Sequence, residues 1–349
     1  MARTIAAIDL FCGAGGLSLG LRQSGINVLA GYDLDPACRY PYSHNINADF
    51  FLSDVKDVSG NHLQQLWNKH PQDVRLLAGC APCQPFSTMR KRGQGGSSDP
   101  RWRLLEEFER LALETLPEFV TMENVPGLSA SPVFSAFIAG LEKAGYHVSY
   151  SVIDLRRLGL AQSRRRLVLM ASRLGAVSVP EGDLEQGNYT SVADVIGGLT
   201  PIDAGGTDGH DPLHRSARLS ALNLRRIQAS IPGGTWRDWE DKKLLAACHK
   251  KSSGKFYASV YGRMRWDEPA PTITTQFFNY GTGRFGHPSQ DRALSLREGA
   301  LLQGFPQGYS FAPGEMAATD QIGRLIGNAV PPVLGKAVGE AFQASLLAV

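Results

Sequence analysis

The chain has 349 residues, 43% of them hydrophobic and 20% charged, with a formal net charge of +3. This is a globular composition, long enough for one large and one smaller domain, and it excludes a disordered or fibrous chain. Five cysteines with no secretory leader point to a reducing cytosol and not to a disulfide framework.

The small net charge leaves any affinity for nucleic acid to local patches, and no apolar run approaches the length of a membrane span. Residues 4–10 (TIAAIDL) read as a buried strand, followed by the glycine turn FCGAGGLSLG and a helix through Leu19 and Leu21. Strand, glycine turn and helix are the entry to a nucleotide-binding sheet. Gly13 and Gly15 take the first two places of the dinucleotide fingerprint, but Ser18 stands in its sixth. A second strand, 28–32, ends at Asp33, where an acidic side chain suits the two hydroxyls of a ribose. The plainer reading is a glycine turn and a helix that starts at Asp35-Pro36. Asp54, at the end of a third strand within LSDVKDV, either holds an adenine amino group or caps a turn.

An apolar run (Val74, Leu76, Leu77, Ala78) then stops at Gly79, inside LAGCAPCQPFS. Pro82 and Pro85 each fix φ and restrict the residue before them, so Cys83 sits in a stiff loop at a strand end. Strand ends are where open α/β sheets carry their chemistry. Cys83 therefore reads as a nucleophile toward a carbon atom of a nucleic-acid base. Segment 89–101, MRKRGQGGSSDPR, is a disordered surface loop on one reading and a lid over a phosphate backbone on the other. Leu104, Leu105, Phe108, Leu111 and Ala112 share a helical spacing. Strand 119–122 then ends in Glu123-Asn124-Val125-Pro126, and a carboxylate at the end of a buried strand is costly without a task or a partner. Helix 133–144 and strand 148–154 continue the alternation. In QSRRRLVLMAS, Gln162, Arg164 and Arg166 alternate and so point to one side of an extended segment.

From Arg173 to about Tyr261 the strand–helix alternation is lost. Between Leu213 and Gly262 ten Lys or Arg stand against three Asp or Glu, interleaved with Trp236, Trp239, Phe256 and Tyr257. That mixture suits a nucleic-acid surface, and a solvated loop domain shows it too. The chain closes with a turn and an apolar-faced helix in GRLIGNAVPPVLGKAVGEAF.

Taken together, IDLFCGAGG, AGCAPCQPFS, MENVPGL, QSRRRLVLMAS, RWDEPAPTITT, LREGALLQGFP and IGNAVPP resemble, in order, the motifs of the DNA (cytosine-5)-methyltransferase family. Single motifs of this kind are common; seven in register are very specific. The resemblance implies an α/β fold, a Rossmann-like S-adenosylmethionine-dependent sheet with a smaller target-recognition domain. The catalytic domain is expected over 1–173 plus 291–349 and the DNA-reading domain over 174–290. Cys83 looks like the nucleophile and Glu123 like its acid partner. Gln162, Arg164 and Arg166 match the family's Gln-x-Arg-x-Arg pattern, whose last arginine holds the flipped base while the others organise the site. Phe11, Gly13, Gly15, Asp33, Leu34, Asp54, Val55, Pro82, Leu104, Asn328 and Val330 fall where relatives line the S-adenosylmethionine pocket; no metal is expected, and S-adenosylhomocysteine is the expected product. Two departures stand out: Cys80 and Ala81 replace a more usual Gly-Pro run, and Trp102-Arg103 precede Leu104 where small polar residues are common. Double-stranded DNA is the expected partner, with a cognate restriction endonuclease acting separately. A monomer in the cytoplasm, on the nucleoid when bound to DNA, is expected.

The chemistry explains the residue types. Carbon 5 of cytosine is a poor nucleophile until a thiolate adds at carbon 6, splitting one hard step into easier ones. An acid at ring nitrogen 3 stabilises the adduct, typically contributing ~10²–10⁴ in rate, and burial in a base-filled pocket is expected to raise the carboxyl pKa as this requires. The base must first leave the helix stack. Four rivals remain. A transfer-RNA methyltransferase would use the same residues, with a 2′-hydroxyl requirement as its discriminator. A Cys-x-x-Cys redox protein would leave Glu123 and the arginines unused, a nicotinamide-dependent dehydrogenase fails at Ser18, and an inactive DNA-binding module would have no need of Cys83 with Glu123.

Overall fold

Six consecutive buried residues, Ile5–Leu10, make β1 the middle of a sheet covered on both faces. The computed structural model describes residues 4–71, 73–82, 103–251, 254, 257–314 and 318–347. Among these, seven strands form one sheet in the order β3-β2-β1-β4-β5-β7-β6. They are β1 (Ile5–Leu10), β2 (Asn27–Asp33), β3 (Asp49–Leu52), β4 (Val74–Gly79), β5 (Phe119–Asn124), β6 (His147–Asp154) and β7 (Arg165–Ser172). The first five pair in parallel, and β7 runs antiparallel to both β5 and β6. The expected Rossmann-like α/β sheet is thus present with a mixed edge.

Ala6, Ile8 and Leu10 join a core with helices α3 (Gly60–Trp67), α4 (Arg103–Thr115) and α5 (Pro132–Lys143). Leu105, Phe108, Leu111 and Ala112 supply the buried face of α4, as their helical spacing requires. On β5, Phe119 stacks at 4.5 Å on Phe342 of α10 (Pro332–Leu347). The C-terminal helix therefore packs back on this unit, where it meets α1 (Gly16–Gln23). A Cβ on Gly20 would stand 2.0 Å from Pro332 O, and one on Gly335 2.4 Å from Leu17 O. Only glycine allows the two backbones so close.

The chain divides into two compact units, Met1–Leu158 with Arg165–Asp183 and Ala329–Val349, and Gly159–Arg164 with Leu184–Asn328. This differs from the expected division at 173 and 291. Residues 174–183 stay with the first unit, where Arg157 donates to Gly182 O (2.9 Å). Residues 291–328 belong to the second. There Arg292 holds Glu298 of α8 (Leu296–Leu302) through two 2.7 Å bonds and also donates to Ile202 O, while Arg297 pairs with Asp211. Sequence order alone does not reveal these buried ties.

The second unit departs in another way. Trp236 and Trp239, read as part of a nucleic-acid surface, are buried with Leu244 in a small core of its own. Trp236 stacks on His249 at 4.2 Å. Arg226, counted in the basic excess, is buried against the Tyr261 ring and donates to Leu244 O (2.8 Å). Arg263 donates to the carbonyls of Ile227, Ser230, His287 and Gln290. Guanidinium groups bonded to carbonyls do here what strand ladders do elsewhere. Tyr257 remains exposed, and Phe256 lies outside the described residues.

His287 gives this unit an acid limit. Burial pushes its pKa down to about 4, and the Arg292 and Arg263 charges act the same way against Glu298; His214 also faces it. Its Nδ1 accepts the backbone N–H groups of Ser289 and Gln290 (3.2 and 2.9 Å), so that nitrogen cannot take a proton without losing both. A folded pKa below the unfolded one contributes stability that is present above about pH 6.5 and is lost as pH falls toward 4. We predict a loss of up to about 3 kcal/mol across that window. Urea unfolding followed by fluorescence of Trp236, Trp239 and Trp266 checks it, with His287→Asn showing a weaker acid limb.

Candidate active site

Three neighbouring strand ends, those of β4, β5 and β7, bring three side chains into a row. Gly79 faces Met122 in the β4–β5 register, so the residues that follow, Cys80 and Glu123, lie side by side. The Cys80 thiol donates to Glu123 Oε2 (2.8 Å). From β7, Arg166 places Nε 2.8 Å from Glu123 Oε1. That contact is an ion pair and not an aligned hydrogen bond, because Oε1 accepts none among the described residues. Glu123 is 5% exposed, so a nearly dry carboxyl keeps one oxygen with unused lone pairs beside a guanidinium. Asn124 donates to Ala81 O (3.0 Å) and accepts from Val125 N–H (2.8 Å), holding the chain beyond β4 against the end of β5. Cys83 and segment 89–101, like Trp102, lie outside the described residues.

The glycine turn forms the second cluster, at the ends of β1 and β2. Phe11, Gly13 and Gly15 all have positive φ (59°, 54° and 86°). At Gly13 a Cβ would meet nothing within 4 Å among the described residues. Asp33 fixes the turn by accepting from Gly13 N–H (2.9 Å) while its other oxygen accepts from Asp35 N–H (2.9 Å). Burial raises the Asp33 carboxyl above its usual range. Asp35 caps the short helical turn beginning at Pro36, as the plainer reading of this stretch expects. Leu34 is 67% exposed. Asp54 accepts from Lys56 N–H and pairs with its ammonium (2.9 Å), which holds the Asp54 carboxyl below its ordinary value. It caps the turn that carries buried Val55. Pro82 is exposed, Leu104 half-buried and Val330 buried.

Gln162 and Arg164 stand in the second unit. Gln162 is fully buried; its Nε2 donates to Leu302 O and Gln303 Oε1, and its Oε1 accepts from Ile273 N–H and Arg164. Arg164 also donates to Ile273 O (3.2 Å). The two are thus engaged in the interior of their own unit, and the alternation read from the sequence appears as buried Gln162 and Arg164 around exposed Ser163. Asn328 closes α9 (Thr319–Asn328) in the same unit, exposed.

Sequence reasoning passed over Asp9. It is 1% exposed, accepts from Ser18 Oγ (2.6 Å) and, among the described residues, leaves Oδ1 without a hydrogen-bond partner. Ser18 in turn meets Tyr42 Oη (2.9 Å). Burial, with the Asp33 charge behind it, pushes the Asp9 carboxyl up to about 7. The residue that broke the dinucleotide fingerprint is therefore the partner of a buried acid, and the lone Asp in TIAAIDL was its signal.

Comparison with known proteins follows this geometry. The pattern defining C-5 cytosine-specific DNA methylases matches residues 5–344. The chain is 48% identical to the Type II methylase M.HgiDII of Herpetosiphon aurantiacus over 97% of this chain and 95% of that one. It is 32% identical to the Type II methyltransferase M1.BsuMI of Bacillus subtilis, over 95% and 78%. Among solved structures, a prophage-encoded E. coli protein described as a DNA modification methyltransferase superposes with a TM-score of 0.75 at 20% identity, over 99% and 100% of the two chains. A Schizosaccharomyces pombe Dnmt2 methyltransferase gives 0.65 at 17%, over 98% of each.

Proposed function

The chain belongs to the C-5 cytosine-specific DNA methylase family, a DNA (cytosine-5)-methyltransferase, and from that premise we propose that Cys83 bonds reversibly to carbon 6 of a cytosine turned out of duplex DNA. The carbon–sulfur bond forms as the 5,6 double bond opens, leaving carbon 5 electron-rich. The Glu123 carboxyl hydrogen-bonds ring nitrogen 3 and supplies a proton there. After methylation a base takes the carbon 5 proton, the 5,6 double bond re-forms as the carbon–sulfur bond breaks to release the Cys83 thiolate, and ring nitrogen 3 returns its proton to Glu123. The observation that carries this reading is the row Cys80–Glu123–Arg166, a buried carboxyl with an unused oxygen beside a guanidinium. Arg166 holds the carboxyl by charge and carries donors for the base. Gln162 and Arg164 organise the segment leading to it.

S-adenosylmethionine would supply an electrophilic methyl group on a positively charged sulfur. The residues present fit such a molecule. Among the described residues the glycine turn has open space at Gly13, and Asp9 holds an unpartnered buried oxygen that a cation would satisfy. Asp33, exposed Leu34 and Asp54 follow on neighbouring strand ends, with Phe11, Gly15, Val55, Pro82, Leu104 and Val330 as the further lining carried by the resemblance. We read double-stranded DNA as the substrate and a restriction–modification pair as the setting, with the protein in the cytoplasm as a monomer.

Asp9 makes the fit testable without turnover. Its folded pKa, about 7, lies above the ordinary 3.8, so its contribution to stability is full below about pH 4 and lost as pH rises through 7. Relative to wild type, Asp9→Asn should gain up to about 4 kcal/mol of stability between those limits. The gain should shrink when the sulfonium donor is added at pH 8. For the reaction itself, a duplex with 5-fluorocytosine at the target, offered with the methyl donor, should trap a covalent adduct that peptide mapping places on Cys83. An enzyme that methylates ordinary duplexes but never forms that adduct would sink the covalent route.

A further inference from the structure

Cys80 is one of two residues that depart from the relatives' usual run before the nucleophile, and the proposed chemistry assigns it no step. We propose that Cys80 is a positioning residue for methyl transfer, its thiol fixing the plane of the Glu123 carboxyl. The proposal rests on the reading of Glu123 as the acid on the base.

A glutamate carboxyl turns about its last bond unless both oxygens are held. Arg166 attracts Oε1 without an aligned bond, which leaves that rotation open. Cys80 supplies the missing restraint from the opposite neighbouring strand, with Sγ 2.8 Å from Oε2. Its own place is rigid. The Cys80 N–H donates to Leu10 O (3.3 Å), and Asn124 clamps the carbonyl of the next residue, Ala81. Glu123 is thus held across three adjacent strands, Oε2 by a donor and Oε1 by a charge, and Oε1 remains able to accept from or donate to a base. A smaller residue at 80 would leave Oε2 in a nearly dry site without its donor. A thiol suits the task because it has a proton to give yet donates weakly, so it orients the carboxyl without locking it to itself.

The test is a double-mutant cycle on the full chain with duplex DNA and the sulfonium donor. Cys80→Ala should lower kcat roughly threefold to tenfold while the KM values for DNA and donor stay as in wild type. Cys80→Ser, which keeps a donor on a slightly shorter arm, should recover most of the loss. Cys80→Gly is the parallel variant without a donor, should alanine fold poorly. In a Glu123→Gln background, Cys80→Ala should cost nothing further, because a residue that acts through Glu123 has nothing left to position. Wild-type kcat in both donorless variants overturns the proposal, as does a loss that persists undiminished beside Glu123→Gln, the mark of a merely structural role. Glu123→Gln with undiminished kcat removes the reading of Glu123 itself, and this proposal with it.

Discussion

Cys83→Ser protein should bind duplex DNA and the methyl donor as wild type does and yield no methylated cytosine. A hydroxyl is almost wholly un-ionised at neutral pH, and an alcohol lacks the intrinsic reactivity of a thiol toward an electron-poor ring carbon. Losing a nucleophile leaves only what binding and positioning provide, a fall on the order of 10⁴-fold or more. Glu123→Gln should be milder, ~10²–10⁴ in rate, because an amide still fills the space and still meets Arg166. The order of the two losses is informative. Transfer of tritiated methyl groups to a duplex of mixed sequence measures both, and bisulfite sequencing of the same product maps the modified cytosines. Appreciable turnover by the serine variant would remove Cys83 from the chemistry.

The largest effect on folding is expected at Arg292. It is wholly buried, and its two terminal nitrogens each lie 2.7 Å from an oxygen of Glu298. Burial by itself would push that carboxyl up, yet the Arg292 bonds and charge pull it below the usual carboxylate range. Arg292→Met strands a charge in a dry site, which typically costs about 3–5 kcal/mol. The same change deletes donors to Ile202 O and Ala293 O. The second unit should therefore unfold first in urea, reported by its own tryptophans, and DNA binding should go with it. The Arg292→Met, Glu298→Leu double variant should recover much of the loss, since replacing both partners removes the stranded charge. A single variant as stable as wild type would show that the pair is not what ties α8 to its unit.

Both effects bear on how much of the molecule can be read from its residues. Buried runs that end in glycine or an acid betray parallel strands, because such strands are apolar on both faces and carry their polar groups at one end. That logic located β1, β4 and β5 and picked out Glu123 and Asp33. The return of the final helix to the first unit came instead from the family resemblance. The strand logic failed where polar groups build the interior. Arg226, Arg263 and Arg292 look like surface charge in a sequence, and nothing in their spacing says that backbone carbonyls or a buried acid await them. Trp236 and Trp239 looked like a stacking surface for the same reason. Cys80 read as a departure from a motif or as half of a Cys-x-x-Cys pair, since its contact with Glu123 depends on a register between strands more than forty residues apart. Asp54 shows the opposite lesson: its capping role was legible as the duller alternative.

The packing of α10 on α1 carries a consequence for synthesis. Gly20 and Leu17 emerge early from the ribosome, while Pro332 and Gly335, which cover them, emerge more than three hundred residues later. Until then the nascent chain leaves Phe119 of β5 and the glycine side of α1 uncovered. A messenger cut short before that point would yield an uncovered sheet fit for chaperones and proteases, so premature termination should leave no partly working methylase behind.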